Sequence, residues 1–382
     1  MIIEQHILQN FAPANLNRDD TGSPKDCIFG GHRRARVSSQ CFKRAIRTEF
    51  TSSGLLTQAN LSERTKRVVE EIARRLAARG APETTARGVA TALLNEIGLK
   101  VVKNDKTQYL LFLAESEINA AVEIASQHWN ALSTAAVQAQ AQAQGAKNKA
   151  EALPNEIKTE MLRRLDGGRA ADLALFGRMI ADRADKNVEA ACQVAHALST
   201  NRVEVEFDFY TAVDDLKPEE TAGADMLGTI EFNSACFYRY ANVDIEQLVK
   251  NLLGDVDLAR TTLAAFLSAS VTAIPTGKQN SMAAHNPPSL MLVVVRERGQ
   301  WNLANAFVNP VRPRDGLDLV QGSIAALDAY WGKLTGMYGS VSSGAWLATT
   351  EPAQLAHLAS YTTPSVAQVI ANTLAAVTFQ GA

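Results

Sequence analysis

Four cysteines, Cys27, Cys41, Cys192 and Cys236, are spread through 382 residues with no C-x-x-C pair, which excludes a disulfide framework or a zinc knuckle and suits a reducing cytoplasm. The six histidines are equally dispersed and no H-E-x-x-H occurs, so neither a metal site nor a cofactor is expected. The longest aliphatic run, Leu290–Val295, is far below the roughly 18 residues that cross a bilayer, so no membrane partner is expected. The start, Met1-Ile2-Ile3-Glu4-Gln5, lacks the basic region and long apolar stretch of a secretory signal. No internal repeat is present, and Gly30-Gly31 has no third glycine to complete a dinucleotide fingerprint.

The chain also lacks an excess of charge, since its formal net charge is −2. The distribution is uneven, however. Between Lys25 and Arg47 lie seven basic residues (Lys25, Arg33, Arg34, Arg36, Lys43, Arg44, Arg47) against one acid, Asp26. Such a cluster is the footprint of a polyanion site, although composition alone fits a solvated basic face equally well.

Apolar residues make up 46% of the chain, enough for a substantial core. Strands are expected near 2–9, 172–179, 234–243 and 289–296, and helices near 39–50 and 258–270. That order, β-α-β-β-α-β, is the ferredoxin-like arrangement shared by RNA-recognition folds. Two insertions interrupt it, a helical block over 56–165 and an extended excursion with a hairpin over 200–232. Within the block, Arg64–Arg79 and Glu83–Leu99 read as amphipathic helices, and the Ala/Gln-rich stretch 135–146 as a peripheral one. Residues 11–37 read as a long loop, and Val188–Leu198 as a helix. Further helices are expected near Ile245–Leu253, Gly316–Leu334 and Ser365–Ala376. The fold class is therefore α+β, with a palm formed by 1–55, 166–199 and 233–382, a helical insertion over 56–165 and a thumb-like hairpin over 200–232.

In the first helix, Phe42, Ala45, Ile46 and Phe50 recur at core spacing, while Gln40, Lys43, Arg44 and Arg47 share the opposite face. Ser38 and Ser39 stand at its N-terminus, where free N–H groups and the helix dipole favour anions. A glycine pair, forked arginine donors, a capped helix start and a basic helix face are what a phosphate backbone requires. No carboxylate–histidine arrangement accompanies them, and His32 without an orienting carboxylate reads as a donor rather than a base.

The run Asn15-Leu16-Asn17-Arg18-Asp19-Asp20, followed by Phe29-Gly30-Gly31, Arg34-Ala35-Arg36-Val37-Ser38-Ser39-Gln40 and Lys43-Arg44, resembles the N-terminal signature of the CRISPR-associated protein 7 family, in particular the type I-E Cascade backbone subunit. Ala174–Met179, Ala195–Thr200, Phe209–Leu216, Phe237–Asn242 and Pro275–Asn286 resemble further family segments in the same order. The resemblance covers residues 5–290 and is loose over 56–165 and beyond about 310.

It implies a non-catalytic subunit whose partners are CRISPR guide RNA, target DNA paired to it, further copies of the same chain in a helical filament, and the large, small and guide-end-capping Cascade subunits. A thumb displaces one base at regular intervals while base pairing reads the target. Carried over by position, Arg18, Lys25, Arg34, Arg36, Ser38, Gln40, Lys43, Arg44 and Arg47 contact guide phosphates and sugars. Met179 wedges against the displaced base; by pattern alone it fits a core position. Tyr210, Thr211 and Val213 lie on the thumb near the kink, and Lys278 and Gln279 sit in a polar loop near nucleic acid. Phe237, Tyr238 and Tyr240 read as strand packing or as a base-stacking platform. Asp214-Asp215 suggests the alternative of a metal-dependent nuclease, although adjacent strand residues point to opposite faces and are poorly placed to share an ion.

Overall fold

The computed structural model of the chain describes residues 1–143, 152–212, 226–313, 316–339 and 342–379. These residues group into two compact units. The first holds Met1–Leu55, Cys192–Ile245 and Leu263–Thr378, and the second Leu56–Ala191, Glu246–Thr262 and Phe379. Residues 166–191 thus group with the helical insertion rather than with the sheet.

In order, the main elements are β1 (Ile2–Ala14), β2 (Asp26–Phe29), β3 (His32–Val37), α1 (Ser39–Ser52), α2 (Val68–Ala77), α3 (Glu83–Glu96), α4 (Glu115–Gln127), α5 (Trp129–Ala143), α6 (Asn155–Arg164), α7 (Ala171–Phe176), β4 (Cys192–Val194), β5 (Ala197–Ser199), β6 (Glu206–Ala212), β7 (Met226–Asp244), α8 (Ile245–Asn251), α9 (Val256–Thr272), β8 (Leu290–Arg296), α10 (Leu319–Tyr338), β9 (Ser342–Thr349) and α11 (Val366–Ala376). Among them, no helix is long and apolar enough to cross a membrane. Of the Ala/Gln-rich stretch expected as a helix, α5 covers the part up to Ala143, and 144–146 lie outside the described residues.

The first unit is built on one antiparallel sheet in the order β9-β8-β1-β7-β5-β3-β2, with β4 and β6 also paired to β7. β1 is central because both its edges are taken: Ile7 faces Arg239 of β7 and Met291 of β8. Strand alternation divides its side chains between two covered faces. Leu8 joins Tyr238, Leu292, Ile324, Leu327 and Trp331 in one cluster, and Phe11 joins Phe42, Val37 and Phe237 in another. β8 is buried at every position, as its unbroken apolar run requires. β7 is unusually long. Its first part pairs with β6 as a hairpin, Glu206 opposite Phe232 through Ala212 opposite Met226, and its second part enters the sheet beside β1.

Three expected elements differ. The strand at 172–179 is helical, α7 over Ala171–Phe176, followed by Gly177 at φ +76°. Residues Ala171–Leu175 are all buried, so their pattern could not separate helix from strand. The helix at Val188–Leu198 is replaced by β4 and β5, both paired to β7. There the ladder overrides alanine's helix preference. The loop at 11–37 contains the end of β1 and the β2–β3 hairpin, whose two-residue turn is Gly30-Gly31 at φ +59° and +78°. Both positive angles suit a turn that follows strand twist, and a Cβ on Gly30 would collide with the Val308 carbonyl.

In the second unit, α2, α3, α4 and α6 enclose a core that includes Val69, Ile72, Leu93, Ile118, Val122, Ile157 and Met161. Its principal buried charge is an ion pair. Arg178 Nη1 donates to both Glu117 oxygens at 2.8 and 2.7 Å, while Glu117 also accepts from the Ala114 and Gly167 amides. A buried pair whose carboxylate accepts this many bonds holds its geometry tightly.

One face of the sheet carries a buried polar cluster. Glu4 accepts from Arg296, the Trp301 amide and Tyr240, and His6 Nδ1 lies 2.9 Å from the Tyr238 hydroxyl. Burial, aided by Arg296, lowers the His6 pKa to about 3. Between pH 6.5 and 3 the unfolded chain therefore binds a proton that the folded chain refuses, so acidification removes stability. Lowering the pH from 6.5 to 5 should cost about 2 kcal/mol through this residue. Denaturant titrations should show that increment reduced in His6→Gln, and an unchanged pH slope would refute the assignment.

Candidate nucleic-acid interface

The basic cluster is organised by the segment joining β1 to β2. Asn17 Oδ1 accepts from the Ser38 amide at 2.8 Å, and the Asn17 carbonyl accepts from the Lys25 amide at 2.9 Å, which folds the segment back onto the start of α1. Asp19 closes the tip, accepting from Thr21 Oγ1 and the Thr21 and Ser23 amides, and these bonds lower its pKa. Ser38 is the N-cap of α1, its Oγ accepting from the Cys41 amide.

α1 buries Phe42, Ile46 and Phe50, and Gln40, Lys43, Arg44 and Arg47 lie on its exposed or half-buried side. Arg18 and Arg44 line a cleft of about 780 Å³ together with Thr48, Pro275 and Gly277. A second cleft of about 400 Å³ lies against Lys25, Arg33 and Arg36. Among the described residues, Arg18, Lys25, Arg36 and Arg44 make no ion pair with a carboxylate. Arg36 donates to the Asp26 carbonyl at 3.0 Å and lies 3.1 Å from His196 Nδ1. Burial, Arg36 and Lys25 all lower the His196 pKa, which keeps the ring neutral and able to receive that bond. Asn17 and His196 were not singled out as site residues. Each stands inside a family-like segment, but only their partners in space reveal what they do.

Arg34 departs from the expected role. Its side chain is fully buried, and it donates to the carbonyls of Ser199, Thr200, Phe307 and Val308 at 2.6–3.1 Å. Occupied in this way, its guanidinium is a brace and has no donor fork to offer a phosphate. Gln279 also turns inward, donating to Pro275 O at 3.1 Å within its own loop. Lys278 beside it holds a left-handed backbone at φ +54°. Tyr238 and Tyr240 are buried and hydrogen bonded, so they are packing residues and not a stacking platform.

Tyr210 and Thr211 lie on β6, where the Tyr210 ring covers Gly228 so closely that no Cβ would fit there. Val213, Asp214 and Asp215 fall outside the described residues. Among the described residues, no group of three or more His, Cys, Asp or Glu could hold a metal ion. Met179, in the second unit, is 79% exposed and follows the anchored Arg178 directly, so the core position suggested by its pattern is not where it lies.

Arg34→Ala would remove its hydrogen bonds to four carbonyls, three of them buried, and should cost about 3 kcal/mol, while Arg36→Ala should leave the denaturation midpoint nearly unchanged. Equal midpoints for the two variants would contradict this division between brace and surface.

Solved structures resemble this chain over nearly its whole length. A chain of a "CRISPR RNA-guided surveillance complex, pre-nicking" is 33% identical, with a TM-score of 0.85 over 98% of this chain and 100% of that one. A chain of a "CRISPR RNA-guided surveillance complex" is 28% identical, with a TM-score of 0.75 over 99% of this chain and 100% of that one. No curated protein sequence matches. Residues 3–373 match the family described as "CT1975-like protein", and the chain belongs to that family.

Proposed function

We propose that this chain is a non-catalytic guide-RNA-binding backbone subunit of a Cascade-type CRISPR surveillance complex, of type I-E. The observation that carries the reading is a set of cations, Arg18, Lys25, Arg36 and Arg44, set around one folded-back segment and left without carboxylate partners in a chain that resembles surveillance-complex subunits over its full length. Such groups neutralise phosphates without reading sequence, which suits a subunit that leaves recognition to base pairing.

The order of four sheet strands supports an RNA-recognition-type palm. β8-β1-β7-β4/β5 is the fourth-first-third-second order of the split β-α-β arrangement, with 192–199 as the second strand. The hairpin of β6 and β7 continues from a sheet strand, which suits a thumb that transmits force to the guide. Met179, exposed beside a buried ion pair, suits an apolar wedge on a rigid mount. In this reading copies of the chain line up along the guide, each thumb displaces one base, and the intervening bases pair with target DNA among the other Cascade subunits.

Nucleic acid that co-purifies with the chain should be repeat-spacer RNA on sequencing; a clean preparation without it sinks the proposal. Arg18→Ala/Lys25→Ala/Arg44→Ala should weaken guide binding about tenfold or more for any sequence and lower the salt slope by about 0.7 per lost phosphate contact. An unchanged slope would remove these residues from the interface.

A further inference from the structure

Two phenylalanines on β6, Phe207 and Phe209, are each 65% exposed. Alternation puts both on the same face of the hairpin, opposite to Tyr210. Large aromatic side chains held in water on a two-stranded hairpin contribute nothing to a core, and exposed apolar groups beside a charged cleft mark an interaction site.

Phe207 has a specific setting that Phe209 lacks. It forms one wall of the 400 Å³ cleft whose other walls carry Lys25, Arg33, Arg36 and Pro24. The cleft also contains three carboxylates, and two of them are engaged. Asp26 is paired with Arg33, and Asp19 is held by the turn at Thr21 and Ser23. The third, Glu231, sits directly across the ladder from Phe207. Among the described residues, Lys25, Arg36 and Glu231 make no ion pair.

The cleft is therefore polarised. Its hairpin side offers a ring face and an acceptor, and its β2–β3 side offers two unpaired cations. A phosphate is repelled by Glu231 and drawn to Lys25 and Arg36. A base stacks on a phenyl ring whatever its identity, and its amino groups can donate to a carboxylate.

We propose that this cleft binds one nucleotide of single-stranded RNA, with its base stacked on Phe207 and its phosphate at Lys25 and Arg36. The inference rests on the guide-RNA reading above and adds a base-holding residue that neither the basic cluster nor the thumb positions expected from sequence supply. One ring and two cations at one cleft fix a nucleotide at both ends, where phosphate contacts alone leave the bases free to rotate.

The test uses the full chain and a fluorescent single-stranded RNA. Phe207→Ala removes an exposed ring, so the fold is undisturbed. It should weaken binding about 5- to 150-fold, the range for loss of one base–aromatic stack, without changing the salt slope. Phe207→Trp should restore affinity, and Phe209→Ala should have the smaller effect. RNA carrying 2-aminopurine should be quenched by the wild type and not by Phe207→Ala at saturating protein. Wild-type affinity in Phe207→Ala, or a tryptophan variant as weak as the alanine one, overturns the stacking site while leaving guide binding intact. Failure of the wild type to bind any RNA overturns the guide reading, and this inference with it.

Discussion

The arginine at position 34 is the constraint on which the basic region depends. Its guanidinium joins the β2–β3 hairpin to the end of β5 and to the 307–308 segment through four carbonyls. Burial without these acceptors would be costly, and burial alone pulls its pKa down. With them the hairpin is fixed, and fixing it sets where Arg33, Arg36 and Lys25 present their charge. Asn17 completes the arrangement from the other side by tying the preceding segment to the start of α1. For the proposed RNA interface, long flexible side chains gain from such a rigid base, because less freedom is lost on binding.

The same device recurs in both units. Arg178 in the second unit and Arg296 in the first are buried against Glu117 and Glu4. Arg178 precedes the exposed Met179, and Arg296 lies 4.0 Å from the Trp301 ring in the cluster beneath α10. Breaking such a pair would strand a buried charge at a cost of about 3–5 kcal/mol. These arginines hold the scaffold, while Arg18, Arg36 and Arg44, which line the two clefts, have no carboxylate partner among the described residues. In sequence both kinds look alike, and Arg33, Arg34 and Arg36 lie within four positions with different fates.

Much was nonetheless legible. The two faces of α1 and the helices expected within Arg64–Arg79 and Glu83–Leu99, which run over 68–77 and 83–96, follow from periodicity, because a strong apolar period leaves one solution, and the burial of β8 follows from its short unbroken apolar run. The errors share a cause. Ala171–Phe176 and Val188–Leu198 are short, alanine-rich and without a clear period, so their state was set by what lay beside them. For the latter, that neighbour was an open edge of β7. Gly30-Gly31 was visible as a chain break, but its meaning as a hairpin turn required the pairing of β2 with β3.

The sequence by itself determined that a basic cluster precedes and covers one face of a capped helix, that no cysteine or histidine motif accompanies it, and that the chain follows a recognisable order of segments. Only the tertiary structure decided which cations face a cleft, that Tyr238 and Tyr240 are packed under α10, and that Phe207 stands exposed beside Lys25 and Arg36. The reason is physical. Charge and periodicity are local properties written along the chain, whereas burial and access depend on contacts between residues hundreds of positions apart, such as Arg34 and Phe307.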